Sequence, residues 1–429
     1  MKTLISNAHL FDPAQGLDRP GAVAIMDDTL VAVGEVPADF HAERHLDAQG
    51  ALLLPGLIDL CARLREPGQE YKATLVSETR AAAASGITTV VCPPDTDPAV
   101  DSPAHIELIT RRAQYGSGVR VKVLGALTAG LDGRQLAEMA ALKQAGALGV
   151  SQALRPISSP VLLRRAMEYA ASHDLTVFLH PLDASLAGSG CVHEGPVGTR
   201  MGLPGIPQAA ETAALGVILA LAEQTGARVH LCRLSTARAT AMIARAKDDG
   251  LRITADVCAH QLFLTQHDVA DFNSLCHVIP PLRTEQDREG LRRALAEGVI
   301  DAICSDHQPH EADAKLAPFP STQPGISALE TLLPLSLKLV SEGVLSLAEV
   351  ITRLTRAPAN ILRLPLGQLQ VGQAADLCLL NPHTAYCPQP ENWHSQGLNT
   401  PFFGQRFAGV VTYTMVAGQL IHSIDARPI

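Results

Sequence analysis

The chain has few aromatic residues, no excess of basic charge, no long apolar run and no closely paired cysteines, and each shortage excludes a class of function. Aromatics make up 3% of its 429 residues, with a single tryptophan, which leaves few faces on which nucleic acid bases stack. Lys and Arg number 34 against 43 Asp and Glu, a formal net charge of -9. No basic stripe is available for phosphates, so neither nucleic acid nor an anionic membrane is an expected partner. No apolar run approaches the roughly 20 residues of a membrane span. The opening MKTLISNAHLFDP reaches a polar turn after about ten residues and lacks the apolar centre of a signal peptide. The nine cysteines are odd in number and form no C-x-x-C pair, which fits reduced, mostly buried thiols better than a disulfide framework or a zinc ribbon. A cytoplasmic location is expected.

What is present is apolar mass and histidine. With 47% hydrophobic and 18% charged residues, the chain is too apolar to be disordered and must bury a large core. Sixteen histidines hint at metal or acid–base chemistry, because imidazole is the commonest metal ligand and general base.

The first 54 residues carry short strand-like runs at 23–25 and 30–33, broken by Asp27, Asp28 and Gly34, in the manner of hairpins. From Leu52 the rhythm changes. Unbroken apolar runs at 52–60, 87–92, 119–124, 148–150, 175–179, 229–231, 253–257 and 300–304 alternate with helical patterns such as 78–84, 135–145, 161–172, 208–224, 237–247 and 285–296. Strands covered on both faces read as such runs, and eight strand-then-helix units predict an α/β fold, a closed (β/α)8 TIM barrel over 55–365. After helical stretches at 329–341 and 347–354, strands return at 375–380 and 409–416. The segments 1–54 and 366–429 are therefore expected to join as one small composite β-sandwich domain. Barrel active sites lie at the C-terminal ends of the strands, which directs attention to Asp59, Cys61, Arg63 and Arg65, then Pro93 to Thr96, Ser151 to Ala153, His180 and Asp183, His230, His260, and Asp306, His307 and His310.

At those strand ends the sequence resembles the dihydroorotases of the amidohydrolase superfamily. PGLIDLCARLREPG (55–68) is similar to the family's PGxIDxHxHxREPG. It is followed in order by GITTVVCPPDT (86–96), HPLD (180–183), HEGPVGTRMGLPGIPQAAE (193–211), VHLCRLST (229–236), VIPPLR (278–283), SDHQPH (305–310) and PGISALETLLPL (324–335). TRAPANILRLP (355–365) and GQLQVGQAADLCLLNP (367–382) complete the series. The resemblance implies a barrel mouth in which two divalent metals, usually zinc, activate a water. The H-x-H after strand 1, a carboxylate after strand 4, histidines after strands 5 and 6 and an Asp after strand 8 would hold them.

Several positions depart from that pattern. The H-x-H places are Cys61 and Arg63, and the strand-4 carboxylate places are Gln152 and Ala153. A guanidinium has no lone pair to give and stays protonated. Against a dication about 4 Å away it costs on the order of 8 kcal/mol at an effective dielectric of 20. Asp95 replaces an Asn and would face an anionic substrate with the wrong sign, while Gln261 and Ile279 replace a His and an Asn of the substrate side. Arg65, His260, His310 and Asp306 remain as vestiges of the catalytic set, Arg65 and His310 matching the groups that by this resemblance hold the substrate carboxylate, and His180, His230 and Asp306 remain as remnant ligands if any metal binds. Arg63 is then expected to pair with Asp306. On this pattern the resemblance implies a chain that is no enzyme and holds no cofactor, a dihydroorotase-like scaffold for the catalytic subunit of bacterial aspartate carbamoyltransferase. Its setting would be a dodecamer of six plus six chains in pyrimidine biosynthesis, with a homodimer also open. The alternative is a zinc-dependent hydrolase of dihydroorotate or another cyclic amide, working from a degenerate one-metal site.

Overall fold

The computed structural model describes residues 1–424. Five strands come first: β1 (Lys2–Asp12), β2 (Leu17–Met26), β3 (Thr29–Gly34), β4 (Arg44–Asp47) and β5 (Leu52–Pro55). Next are β6 (Leu57–Asp59), β7 (Ile87–Cys92), β8 (Arg120–Val123), β9 (Gly125–Ala126), β10 (Gly149–Ser151) and β11 (Thr176–Leu179). A short pair, β12 (Val192–His193) and β13 (Gly205–Ile206), precedes β14 (Val229–Leu231), β15 (Ile253–Cys258) and β16 (Ala302–Cys304). The last strands are β17 (Leu377–Tyr386), β18 (Phe407–Val416) and β19 (Gln419–Ser423).

β6, β7 and β8 form one parallel run, and β9, β10, β11, β14, β15 and β16 a second, with Leu124 alone between β8 and β9. Past the last strand, Arg63 N donates to His307 O at 2.9 Å and His307 N to Cys61 O at 3.2 Å, so the first and last strand ends are neighbours. This is the α/β barrel wall that the apolar runs predict, built as two hydrogen-bonded runs of strands. All six residues of β7, ITTVVC, are buried, as a strand covered on both faces requires. Three of the covering helices start at side-chain caps. Thr74 and Ser77 form a capping box for Leu75–Ala84, Thr236 caps Ala237–Asp248, and Thr284 with Asp287 caps Glu285–Ala296, each satisfying amide hydrogens that the helix leaves free. Inside the barrel Cys61, Cys258 and Cys304 pack with Ile58, Val91, Leu124 and Phe178 and behave as small hydrophobes.

β1 to β5 and β17 to β19 form one eight-stranded sheet, and the two ends of the chain meet where β5 pairs with β17, from Leu377 opposite Pro55 to Leu380 opposite Leu52. A sandwich is the expected form here; by hydrogen bonding the strands make a single sheet. Leu30 N to Gln373 O at 2.9 Å and Ala375 N to Asp28 O at 2.7 Å draw its β3 edge toward the segment before β17. The sheet curls around its own core of Ile5, Leu10, Val23, Ile25, Leu53 and Leu377. The apolar run 52–60, read as one barrel strand, is divided between this sheet (β5) and the barrel (β6). Arg120 of β8 grips Asp376 through two bonds of 2.7 and 3.1 Å and fixes the sheet to the barrel. No helix among the described residues is long and apolar enough to cross a membrane.

Candidate functional site

The barrel mouth gathers side chains from the ends of six strands, and an ion network fills its centre. Arg63, after β6, donates from Nε to Asp95 Oδ2 at 2.8 Å and from Nη1 to Asp306 Oδ1 at 2.8 Å. Arg233, after β14, reaches the same Asp306 oxygen at 3.4 Å, the Cys61 sulfur at 3.1 Å and the Ala153 carbonyl at 3.4 Å. Gln308 Nε2 donates to the other Asp306 oxygen at 2.9 Å. Arg63, Arg233, Asp306 and Cys61 are all buried. The expected pair of Arg63 with Asp306 is present. Asp95 is not left facing a ligand with the wrong sign, because Arg63 takes up its charge.

The electrostatics follow from burial and these contacts. Burial alone would raise the Asp306 and Asp95 carboxyls, but Arg233 and Arg63 at Asp306, and Arg63 at Asp95, hold both below the ordinary carboxylate range. Burial would lower Arg63, yet Asp95 and Asp306 keep it above its ordinary value. The Cys61 thiol is pushed well up by burial and stays protonated. His180 is taken down to about 3 by burial and the Arg233 charge, and His260 to about 4 by burial. Asp59, enclosed beneath the mouth and bonded to Ser305, rises to about 6 through burial.

Arg65 and His310 stand at one side. Arg65 Nη2 lies 3.1 Å from His310 Nε2, and Arg65 Nε donates to Pro309 O at 3.0 Å. Burial, with Arg63 nearby, lowers Arg65 to about 10, and burial with Arg65 takes His310 to about 2. Arg65, Ala153, Arg233 and Asp306 have left-handed φ values of 63°, 52°, 57° and 46°, a conformation that costs about 1–3 kcal/mol per non-glycine residue and collects at functional sites. Gln261 turns away and donates to Pro280 O at 2.9 Å.

His230 is not at the mouth. It lies within β14, fully enclosed, with Nδ1 2.9 Å from Thr254 Oγ1 and Nε2 2.9 Å from Asp256 Oδ2. The residue past that strand end is Arg233, which the sequence reading missed. The signal was available, because the apolar run stops at Leu231 and only residues beyond it can face the mouth.

The fit of a metal differs between two places. At the mouth Asp306 already carries two guanidiniums, and a dication on it would lie beside two fixed positive charges, so this donor set does not fit one as it stands. Below the mouth, His230, Cys232 and Asp256 place one donor atom each within 4.8 Å of one another. Among the described residues these three are the donors that could take an ion, in the number usual for catalytic zinc, once His230 Nε2 gives up its bond to Asp256 and the Cys232 thiol, which burial holds well above its ordinary value, gives up its proton.

Comparisons with known proteins agree with this architecture. The family model described as dihydro-orotase-like matches residues 50–239. A protein of Pseudomonas aeruginosa named "Dihydroorotase-like protein" is 48% identical over 98% of this chain and 100% of its own length. A "Dihydroorotase" of Syntrophus aciditrophicus is 41% identical over 99% of this chain and 100% of its own. Among solved structures, the L-hydantoinase (dihydropyrimidinase) of Arthrobacter aurescens superposes with a TM-score of 0.87 at 22% identity, over 100% of this chain and 97% of that one, a likeness of fold. These findings correct the expectation that the chain is no enzyme. Relatives aligned along its whole length carry an enzyme's name, and His230, Cys232 and Asp256 form a donor group that the sequence pattern did not reveal.

Proposed function

Because the chain belongs to the dihydroorotase-like family and has the amidohydrolase fold, we propose that it hydrolyses a cyclic amide of the dihydroorotate type in pyrimidine biosynthesis. The observation that carries this reading is the 41% identity, over 99% of the chain, to a protein named dihydroorotase. The site supports it through Arg65 and His310, side by side at the mouth, where the family pattern puts the groups that hold a substrate carboxylate; the guanidinium fork suits that task. Zinc is the cofactor of this reading: His230, Cys232 and Asp256 would hold one ion, and its chemistry is to lower the pKa of a water. The test is ring opening of dihydroorotate by the purified chain, with elemental analysis of the same sample. About one zinc per chain, with turnover lost on chelation and in His230→Ala, is the expected result. Turnover that is absent in zinc-replete protein, or indifferent to a chelator, overturns the reading.

A second reading concerns assembly and is favoured by the qualified name "Dihydroorotase-like protein" of the 48% identical relative. In it the chain supports aspartate carbamoyltransferase by forming a mixed assembly with that enzyme's catalytic subunits, six chains of each. Co-expression followed by size-exclusion chromatography tests this. Co-elution in equal amounts, with transferase activity that depends on this chain, is expected. Separate elution at micromolar concentration with unchanged transferase activity would remove it.

A further inference from the structure

Strand pairing assembles the surroundings of His230. β14 and β15 run parallel, with His230 opposite Thr254 and Leu231 opposite Ala255. Side chains alternate along a strand, so Thr254 and Asp256 share one face of β15, the face that Cys258 turns into the barrel. Both reach the imidazole. Its Nδ1 lies 2.9 Å from Thr254 Oγ1 and its Nε2 2.9 Å from Asp256 Oδ2. The other Asp256 oxygen, Oδ1, accepts from Arg233 N at 2.5 Å and from the Cys304 thiol at 3.5 Å. Each of these two ion donors is therefore held at its outer atom, while the inner atoms Nε2 and Oδ2 face one another with the Cys232 sulfur within 4.8 Å.

The placement of one proton decides what the ring can do. A carboxylate oxygen only accepts, so a neutral His230 that bonds Asp256 carries its proton on Nε2, and Nδ1 accepts the hydroxyl proton of Thr254. An ion at Nε2 needs the lone pair there. The ring proton then belongs on Nδ1, and the partner at Nδ1 must accept it. A backbone carbonyl in that place could only accept and a backbone amide could only donate, so either would hold a single tautomer. The Thr254 hydroxyl has one proton and two lone pairs. By rotating its proton it meets both tautomers with its oxygen where it stands.

We infer that Thr254 is a positioning residue of the ion site: its hydroxyl lets the His230 proton pass from Nε2 to Nδ1 when zinc enters, and then holds the ring in the binding orientation. The inference rests on the zinc reading given above and deepens it. The group bonded to the far nitrogen of a metal-binding histidine fixes tautomer and ring orientation, and its loss costs about 10–100-fold in metal affinity. Thr254 acts through His230.

Zinc affinity of the full chain, measured by competition with a chromophoric chelator, tests it in the parent, in Thr254→Val, which keeps the shape without the hydroxyl, and in Thr254→Ser, which keeps the hydroxyl. Thr254→Val is expected to bind zinc about 10–100-fold more weakly, and Thr254→Ser close to the parent. A threonine that only supported the fold would lower the urea midpoint of the zinc-free chain and leave the zinc affinity of the folded chain unchanged. Equal affinity in the parent and Thr254→Val overturns the inference and leaves the zinc reading standing. Thr254→Ser as weak as Thr254→Val overturns it too. A parent that takes up no zinc removes both, whereas zinc affinity that depends on the hydroxyl, without ring opening of dihydroorotate, removes only the hydrolysis. Should Thr254→Val fail to fold, ring-nitrogen NMR of the parent decides. The His230 signal, identified by its loss in His230→Ala, is expected to show the proton on Nε2 without zinc and on Nδ1 with it. A proton that stays on Nε2 in the zinc-loaded chain overturns the inference.

Discussion

Arg63 holds two carboxylates at once, and the energetics of the mouth turn on that. Bringing charged groups out of water costs several kcal/mol each, which their attraction offsets only when every partner is in place. Here Arg63 bonds Asp95 and Asp306, and Arg233 backs Asp306. Arg63→Met is expected to destabilise the chain by about 3–5 kcal/mol, the cost of leaving a buried carboxylate uncompensated, read from urea unfolding. Adding Asp306→Leu should recover part of that loss, because the two changes act on one network and are not additive. A loss below about 1 kcal/mol in the single variant would show that Arg233 alone suffices. Much of this network was legible, since guanidinium chemistry at position 63 and the family place of Asp306 imply the pair. The contacts of Asp95 and Arg233 were not, because a loop residue's direction depends on a backbone turn. Arg233 reaches Asp306 through a left-handed φ of 57°, a state that the type of residue does not announce.

At the scale of elements, the barrel strands were legible because a strand buried on both faces leaves an unbroken apolar run, whereas the division of 52–60 between two sheets leaves no mark in hydropathy. The only sign is Gly56, where the chain crosses from β5 to β6. A Cβ there would lie 2.2 Å from Thr88 Oγ1 and 2.3 Å from its methyl carbon. Thr88 is buried in β7, so Gly56→Ala should cost about 1–3 kcal/mol by overpacking. A melting temperature equal to the parent's would show that the crossing has slack. The helix caps give a graded comparison. Thr284→Ala removes one cap and should cost about 1 kcal/mol. Asp287, its capping-box partner, also accepts from Ala237 N at 3.1 Å and from Gln208 Nε2 at 2.8 Å, tying together the starts of three helices. Asp287→Ala should therefore cost more than Thr284→Ala, on the order of 2–3 kcal/mol. Equal losses would mean that the two outer bonds contribute nothing.

For the whole molecule, the histidines that first suggest metal chemistry govern acid stability. Seven of the sixteen are buried, and burial above all takes His180 to about 3, His260 and His277 to about 4 and His310 to about 2. In the unfolded chain a histidine takes up its proton near pH 6.5, while these four stay neutral in the fold down to about pH 4 or below. Between those limits the unfolded state binds more protons, so stability falls as the pH falls, by about 1.4 kcal/mol per pH unit for each such group. Asp59 acts in the opposite direction, since its folded carboxyl binds a proton near 6 and that of the unfolded chain only near 4. It offsets about one histidine over that window. Asp95 and Asp306, held low, add their own loss below the ordinary carboxylate range. The urea midpoint is expected to drop steeply between pH 6.5 and 4.5, and Asp59→Asn should make the drop steeper by removing the opposing group. A midpoint that stays level across that interval would mean that the interior histidines take up protons in place, with water reaching them.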